Sequence, residues 1–223
     1  MLDIPEKVSV PEINFTDKVD LDPEQTALLI IDMQNDFVKP KGRLQVESAW
    51  ETIDRIKHLI DKARRAGIRV IYTQDTQVEQ DPEFDVWPQH CKKGTWGWQI
   101  IDELKPEERD MVIRKNRYDA FYGTALDHYL SNIWGLKNLI IVGTVANICV
   151  LHTAASAGLR WYRVNLVAEG ISALTTFDLA LTFRQATQLY NAKIVRRVDD
   201  LQLQENKDLS KERKKEFIPH TIE

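Results

Sequence analysis

The sequence predicts one α/β domain with a doubly wound, Rossmann-like sheet of six mostly parallel strands and helices on both faces. Strand and helix signals alternate along the chain, and the strand segments are apolar with little polar alternation. Two glycines also stand where helical patterns end. A chain of 223 residues is long enough to bury the core of one such domain.

The elements follow one another in the order that a doubly wound sheet requires. The six predicted strands, rich in isoleucine, leucine and valine, span residues 27–32, 68–74, 111–115, 139–142, 164–168 and 194–198. Helical spacing of apolar residues occupies four of the connections, at residues 51–65, 125–134, 148–159 and 179–190. Gly67 and Gly135 follow the first two helices in the position of a C-terminal cap. Strands that alternate with helices in this way form a parallel sheet.

The two ends of the chain differ from the segment between them. Residues 1–20 mix prolines with charges and predict an extended arm, and residues 21–204 form the predicted domain. Residues 205–223 are strongly charged and predict a solvated tail. Packing of this tail against a neighbouring subunit is the alternative that the sequence leaves open.

The composition excludes several classes of function. A net charge of -4 gives no reason to expect nucleic acid as a partner. The apolar runs are far shorter than the ~20 residues of a membrane span, and no secretory signal is visible at the N-terminus. The absence of a G-x-G-x-x-G stretch after the first strand argues against a dinucleotide cofactor. With only two cysteines, Cys91 and Cys149, a disulfide framework is not expected, and a reducing cytoplasm is the predicted location.

Three predicted strand ends carry residues with catalytic chemistry. Cys149 follows the fourth strand at the start of a helix, where backbone N–H groups and the helix dipole favour the thiolate. Asp32 ends the first strand and Lys115 ends the third. Because ligands bind at the carboxyl ends of parallel strands, we expect a proton acceptor, a cation and a nucleophile to meet at one edge. The alternatives are a helix-capping or turn-forming Asp32, a surface charge at Lys115 and an inert buried thiol at Cys149.

These motifs resemble the isochorismatase-like cysteine hydrolases, the group that includes nicotinamidase, N-carbamoylsarcosine amidase, ureidoacrylate amidohydrolase and biuret hydrolase. The matching stretches are residues 31–37, 114–121 and 143–150, with 87–91 and 93–97 similar as well, and the likeness runs from about 21 to about 201. The resemblance implies hydrolysis of a small amide through a cysteinyl thioester, with release of ammonia. It also implies a homo-oligomer, either a dimer or a tetramer.

The resemblance extends to the residues that stabilise the reaction. It implies that the bond between Thr144 and Val145 is a cis peptide and that the N–H groups of Val145 and Cys149 bind the oxyanion. Four aromatic residues flank the motifs and are predicted to line an apolar substrate slot, namely Phe37, Trp87, Tyr118 and Phe121. Cys91 is expected to serve packing or to form part of the pocket wall, and His152 is expected to be structural.

The metal ligands of the nicotinamidase branch are only partly present. The corresponding residues are Asp75, Gln77, Glu83 and His90, so Gln77 replaces a ligand histidine. An amide is a poor zinc ligand, and the ureidoacrylate and carbamoyl-amide branches lack this site. We therefore expect that no cofactor is required, with a divalent metal such as zinc on Asp75, Glu83 and His90 as the alternative.

Two other functions stay open. A vinyl-ether hydrolase acting on isochorismate is one, although members of that branch typically lack the cysteine. A non-catalytic binding protein of the same fold is the other, and it predicts an impaired set of catalytic residues.

Overall fold

The computed structural model describes residues 7, 9–213 and 219–222. The strands in this part of the chain are β1 (Val19–Leu21), β2 (Thr26–Ile31), β3 (Arg69–Asp75), β4 (Met111–Lys115), β5 (Asn138–Gly143), β6 (Arg163–Ile171), β7 (Lys193–Val195), β8 (Leu201–Leu203) and β9 (Thr221–Ile222). The α-helices are α1 (Asn35–Val38), α2 (Ala49–Ala66), α3 (Leu151–Leu159), α4 (Thr176–Tyr190) and α5 (Lys207–Arg213). The helix predicted at 125–134 is a π-helical segment, His128–Ile133.

The central sheet is parallel throughout and confirms the predicted fold class. Its strand order is β7-β6-β5-β2-β3-β4-β9, and β1 pairs separately with β8. The six predicted strands are β2 to β7, so the predicted strand count was one too low for this sheet. The additional strand, β9, comes from the charged tail and pairs with Val112 and Ile113 of β4. A strand of two residues is too short for its apolar period to be visible in the sequence.

The described part of the tail packs against the domain. Leu209 of α5 is buried, and the Ser210 hydroxyl donates to the Arg64 carbonyl of α2 at 2.9 Å. The backbone of β9 covers the edge of β4, which would otherwise present unpaired donors and acceptors. The remaining residues of the tail, 214–218 and 223, lie outside the described residues, as do 1–6 and 8 of the predicted arm.

Two apolar layers cover the sheet. Leu28 and Ile30 of β2 belong to the layer that contains Ile56 and Leu59 of α2. Their neighbours Leu29 and Ile31 belong to the opposite layer, which contains α3. Because successive side chains of a strand point to opposite faces, β2 must be apolar at every position. None of the helices in the described part of the chain combines the length and the apolar character that a bilayer span needs.

The strand order reverses between β2 and β5, which places a crevice at their carboxyl ends. Gly143, the last residue of β5, has a φ of 120° and lies against the Ile31 backbone. A side chain at this position would collide with that backbone, so glycine permits the close approach of β5 to β2. The residues that follow both strands are thereby brought together.

The C-terminal cap of α2 offers a test of how the tail packs. Gly67 has a φ of 81°, and a Cβ there would lie 2.7 Å from the Leu209 Cγ. Gly135 has a φ of 62° with nothing within 4 Å of that position. We expect Gly135→Ala to lower the free energy of unfolding by about 1–2 kcal/mol, because alanine disfavours this conformation. Gly67→Ala should lower the free energy of unfolding by about 1–3 kcal/mol more than Gly135→Ala does, because the new methyl group also crowds Leu209 of α5. Urea unfolding measures both, and equal losses would contradict the packing of α5 on α2.

Candidate active site

Three elements position the predicted catalytic residues. Asp32 directly follows β2 and has a φ of 47°, so the chain turns sharply where the strand ends. Lys115 is the last residue of β4. Cys149 lies in a π-helical turn, Ala146–Val150, that leads into α3. All three stand at the carboxyl edge of the sheet, as the parallel topology requires.

The ammonium of Lys115 joins the other two residues. Its Nζ lies 2.7 Å from the Asp32 Oδ2 and 3.7 Å from the Cys149 Sγ. It also donates to the Arg117 carbonyl at 3.0 Å and lies 3.5 Å from the Asp75 Oδ1. Asp32, Lys115 and Cys149 are all buried. The structure therefore brings together an acid, a cation and a thiol that are far apart in the sequence.

Burial and mutual charge determine the protonation of this group. Burial raises the pKa of Asp32 above its ordinary value, Lys115 opposes the rise, and the Asp75 carboxylate adds to it. Burial also disfavours the Lys115 cation, but the charges of Asp32, Cys149 and Asp75 together raise the pKa of Lys115 well above its ordinary value. Lys115 therefore stays charged, and Asp32 is a stronger base than an exposed aspartate.

The cysteine differs from the expectation for a residue at a helix start. Burial raises the pKa of the Cys149 thiol well above its ordinary value, and Asp32 and Asp75 add to the rise against the effect of Lys115. The resting sulfur therefore keeps its proton at neutral pH. The sequence motif indicated a favoured thiolate because it reveals the helix end but not the depth of burial.

Thr73 is a site residue that the sequence analysis missed. Its hydroxyl donates to the Asp32 Oδ1 at 2.6 Å and accepts from the Asp32 N–H at 3.1 Å. Gln34 was missed as well: its amide donates to the Asp75 carbonyl at 2.8 Å, and its carbonyl accepts from the Asp75 N–H at 2.7 Å. The only signal for Thr73 was a polar residue within an apolar strand.

The turn before Cys149 is anchored at the carboxyl ends of β2 and β6. The Thr144–Val145 peptide bond is cis. The Thr144 N–H donates to the Ile31 carbonyl at 3.0 Å, and the Ala146 N–H donates to the Ser172 carbonyl at 2.8 Å. Thr144 and Val145 line the same cavity as Cys149, which is where donors for an oxyanion would have to lie.

A cavity of about 130 Å³ opens above Cys149. Its apolar wall is formed by Phe37, Leu44, Val46, Trp87, Ile148 and Leu174, with Tyr118 beside them. The Trp87 indole N–H donates to the Tyr118 hydroxyl at 2.9 Å and fixes the two rings relative to each other. Three of the four predicted aromatic residues thus line the cavity, which suits a small, flat molecule.

Phe121 corrects the predicted pocket wall. It does not line the cavity, and its ring packs instead against Tyr162, with the centroids 6.0 Å apart. Phe121 belongs to the apolar layer that contains α3. Its closeness in sequence to the lysine motif was therefore misleading, because the turn after Tyr118 directs it into the core.

Cys91 and His152 lie outside the group at Lys115 and do not line the cavity. Cys91 is fully buried, and its N–H donates to the Asp36 Oδ2 at 2.7 Å. The His152 Nδ1 lies 2.7 Å from the Ile148 carbonyl, and its ring contacts Tyr118 with centroids 5.5 Å apart. These contacts agree with a packing role for Cys91 and a structural role for His152.

Asp75, Glu83 and His90 form a second group beside the cavity. One potential ligand atom from each lies within 4.8 Å of the others. The His90 Nδ1 lies 2.8 Å from the Pro88 carbonyl and must donate to it, because a carbonyl oxygen only accepts. The His90 Nε2 then faces Asp75 at 3.3 Å and Glu83 at 3.8 Å. A proton on this nitrogen or a bound cation would pair with both carboxylates.

These three residues fit a divalent metal ion. Two carboxylates and an imidazole oriented by a carbonyl are a donor set that zinc accepts. Gln77 is less suited to such an ion, since its Nε2 lies 3.2 Å from each oxygen of Asp75. For the proton alternative, burial opposes the charged ring, but the hydrogen bond to Asp75 and the contacts with Pro88 and Glu83 raise the pKa of His90 above its ordinary value.

A parallel α/β sheet with a buried thiol, ammonium and carboxylate at its carboxyl edge is the arrangement of a hydrolase. A family model described as the Isochorismatase domain matches residues 26–197. The chain belongs to the isochorismatase family.

Its relatives are amidohydrolases. The ureidoacrylate amidohydrolase RutB of Acinetobacter baylyi is 34% identical over 161 residues, covering 60% of this chain and 65% of that protein, so the chain spans just under two thirds of that relative. The structure of N-carbamoylsarcosine amidase from Thermoplasma acidophilum is 35% identical, with a TM-score of 0.71 over 78% of this chain and 97% of that one. The structure of the pyrazinamidase of Pyrococcus horikoshii in complex with zinc is 27% identical, with a TM-score of 0.72 over 77% of this chain and 99% of that one. The chain is therefore an isochorismatase-like hydrolase with amidohydrolase relatives.

The contact between Thr73 and Asp32 gives a prediction about pH. In Thr73→Val the Asp32 N–H and Oδ1 both lose their partner, so we expect a loss of about 1–3 kcal/mol in unfolding free energy. Because the hydroxyl lowers the pKa of Asp32, its removal raises that pKa further. The acid limb of kcat/KM should then move to higher pH. A pH profile measures this, and a limb that stays in place would mean that Asp32 does not control it.

Proposed function

We propose that the protein hydrolyses the C–N bond of a small amide through a cysteinyl thioester and releases ammonia. The observation that carries this proposal is the Lys115 ammonium, which lies between the Asp32 carboxylate and the Cys149 sulfur next to the cavity. A non-catalytic protein has no need for a fully buried charge pair beside a thiol, because burying the pair costs free energy. The family and its amidohydrolase relatives add support.

The first half of the reaction forms the thioester. The Cys149 sulfur attacks the amide carbon while its proton passes to Asp32, which burial makes a better base. Negative charge develops on the amide oxygen, and the N–H groups of Val145 and Cys149 bind it; one such donor typically contributes ~3–4 kcal/mol. The C–N bond then breaks, Asp32 returns the proton to the nitrogen, and ammonia leaves.

The second half releases the acid. Asp32 takes a proton from water as the water oxygen adds to the thioester carbon. The C–S bond breaks, the carboxylic acid departs, and the sulfur recovers its proton from Asp32. Lys115 keeps its charge throughout, so it stabilises both the Asp32 carboxylate and the transient thiolate. Each step needs only residues of this chain and water, so we propose that the reaction requires no cofactor.

A divalent ion is compatible with this mechanism. Asp75, Glu83 and His90 would hold it, and it would supply Lewis acidity at one wall of the cavity.

Two further proposals concern the whole molecule. The free, buried Cys91 and Cys149 are consistent with a reducing cytoplasm.

Three large apolar side chains near the C-terminal ends of α3 and α4 are largely exposed, namely Leu159, Trp161 and Leu189. Their exposure supports a homo-oligomer whose interface covers them.

Loss of the nucleophile tests the reaction directly. Cys149→Ala should lower ammonia release from the accepted substrate by a factor of about 10⁴ or more. The panel comprises nicotinamide, ureidoacrylate, N-carbamoylsarcosine and biuret. Cys91→Ala, which removes the other thiol, should keep the activity. Release of pyruvate from isochorismate instead of ammonia would favour the vinyl-ether alternative, and no turnover by freshly reduced protein would favour a binding protein.

Loss of the cation tests the charge balance. Lys115→Met leaves the carboxylates of Asp32 and Asp75 buried without their shared cationic partner. This should lower the free energy of unfolding by about 3–5 kcal/mol at neutral pH. Because Lys115 lowers the pKa of Asp32, the variant has a folded-state pKa raised further above the unfolded value. Its stability should therefore improve as the pH falls and Asp32 is protonated.

Unfolding of Lys115→Met by urea at several pH values measures this dependence. Lys137→Met removes an exposed cation and serves as the control, because it should change the free energy of unfolding by close to zero. A deficit for Lys115→Met that does not change with pH would contradict the charge argument.

A further inference from the structure

The charged wall of the catalytic cavity is acidic. Asp75 and Glu83 line it, and no lysine or arginine does so within the described ranges. His90 also lines it, but its Nε2 already faces both carboxylates. Without a bound ion, the His90 imidazole is the only group among the described lining residues that can carry a positive charge, and the two carboxylates already face it. The cavity therefore has no surplus positive charge to offer a ligand.

The cationic side chains nearest to the cavity already have polar partners in the protein. The Lys115 ammonium contacts Asp32, Asp75 and the Arg117 carbonyl. The Arg117 guanidinium lies 3.1 Å from Asp81 and 3.7 Å from Glu83. A carboxylate placed in the cavity would thus lose its hydration without gaining an unpaired cation, which is a large cost.

Other cations lie in a separate depression. Lys41, Arg43 and Lys92 line a hollow that shares only His90 with the catalytic cavity. Lys92 is also paired with Glu79 at 2.7 Å. None of these three side chains lines the cavity at Cys149.

The cavity does offer an acceptor and flat walls. The Glu83 Oε2 has no hydrogen-bond partner within the part of the chain that the structure describes, although Arg117 lies near it. A carboxylate in this state suits an N–H donor of a ligand. Phe37, Trp87 and Tyr118 supply aromatic surface around it. The Glu83 carboxylate and the aromatic rings together favour a planar molecule that carries N–H groups.

We propose that the site, with no ion bound by Asp75, Glu83 and His90, selects a planar amide without a carboxylate, and that Glu83 is the residue that determines this specificity. Glu83 accepts a hydrogen bond from an N–H of the substrate and repels a substrate carboxylate. The same side chain therefore favours substrates with a further N–H donor and disfavours substrates with a carboxylate. This inference rests on the proposed amide hydrolysis. It separates the chain from relatives named for ureidoacrylate and N-carbamoylsarcosine, both of which carry a carboxylate.

Fumaramide and fumaramate form a matched pair of probes. They share a planar skeleton and one amide, and they differ only in an amide or a carboxylate at the other end. We expect kcat/KM for ammonia release from fumaramide to exceed that from fumaramate at least tenfold, beyond the factor of two due to the second amide. Glu83→Gln should reduce the ratio at least threefold, mainly through KM. Glu108→Gln makes the same charge change at an exposed residue before β4 and should leave the ratio unchanged.

Each outcome decides the proposal. Equal or better turnover of fumaramate, or a ratio that Glu83→Gln leaves unaltered, overturns it and leaves amide hydrolysis intact. Turnover of ureidoacrylate or N-carbamoylsarcosine but of neither probe overturns it as well. If no amide releases ammonia, both this proposal and the proposed function fail. Should Glu83→Gln not fold, calorimetric binding of the two probes to Cys149→Ala replaces it, with tighter binding of fumaramide expected and tighter binding of fumaramate contradicting the proposal.

Discussion

The structure of the site depends on one buried ion pair, between Lys115 and Asp32. A charge removed from water needs a partner and further hydrogen bonds, because desolvation otherwise outweighs the Coulomb attraction. The fold supplies both requirements through its topology. β2 and β4 end at the same edge on either side of β3, and β3 contributes the Thr73 hydroxyl and the Asp75 carboxylate that complete the cluster. Moving any of these strands by one residue would leave a buried charge unpaired.

The same burial determines where the reactive proton resides. A site near water would hold Cys149 partly as thiolate, whereas this one raises the pKa of the thiol well above its ordinary value because burial disfavours the anion. The pKa of Asp32 is raised as well, which makes Asp32 a better acceptor for the thiol proton than an exposed aspartate. Attack and proton transfer are then coupled, and Lys115 stabilises whichever of the two groups carries the negative charge. A low dielectric environment makes that stabilisation large.

Much of this arrangement could be predicted from the sequence, for a clear reason. Asp32 and Lys115 each end an apolar run, and Cys149 follows the turn after another, so a parallel sheet alone gathers them. Thr73 and Gln34 could not be found in the same way, because their contacts join residues 41 positions apart through strand register. The packing of Phe121 depends on the direction of one turn, and β9 depends on tertiary pairing with β4. Local patterns carry none of this information.

The catalytic residues and the specificity of the site have separate physical origins. Asp32, Lys115 and Cys149 can act on any amide carbonyl that reaches the sulfur, since their chemistry concerns only the reacting atoms. Discrimination must come from groups that contact the remainder of the molecule, and here these are aromatic rings and the acidic wall. In that wall the His90 imidazole Nε2 faces the carboxylates of Asp75 and Glu83. Within the described residues no lysine or arginine lines this wall, so without a bound ion its carboxylates can only accept hydrogen bonds and disfavour a second anion.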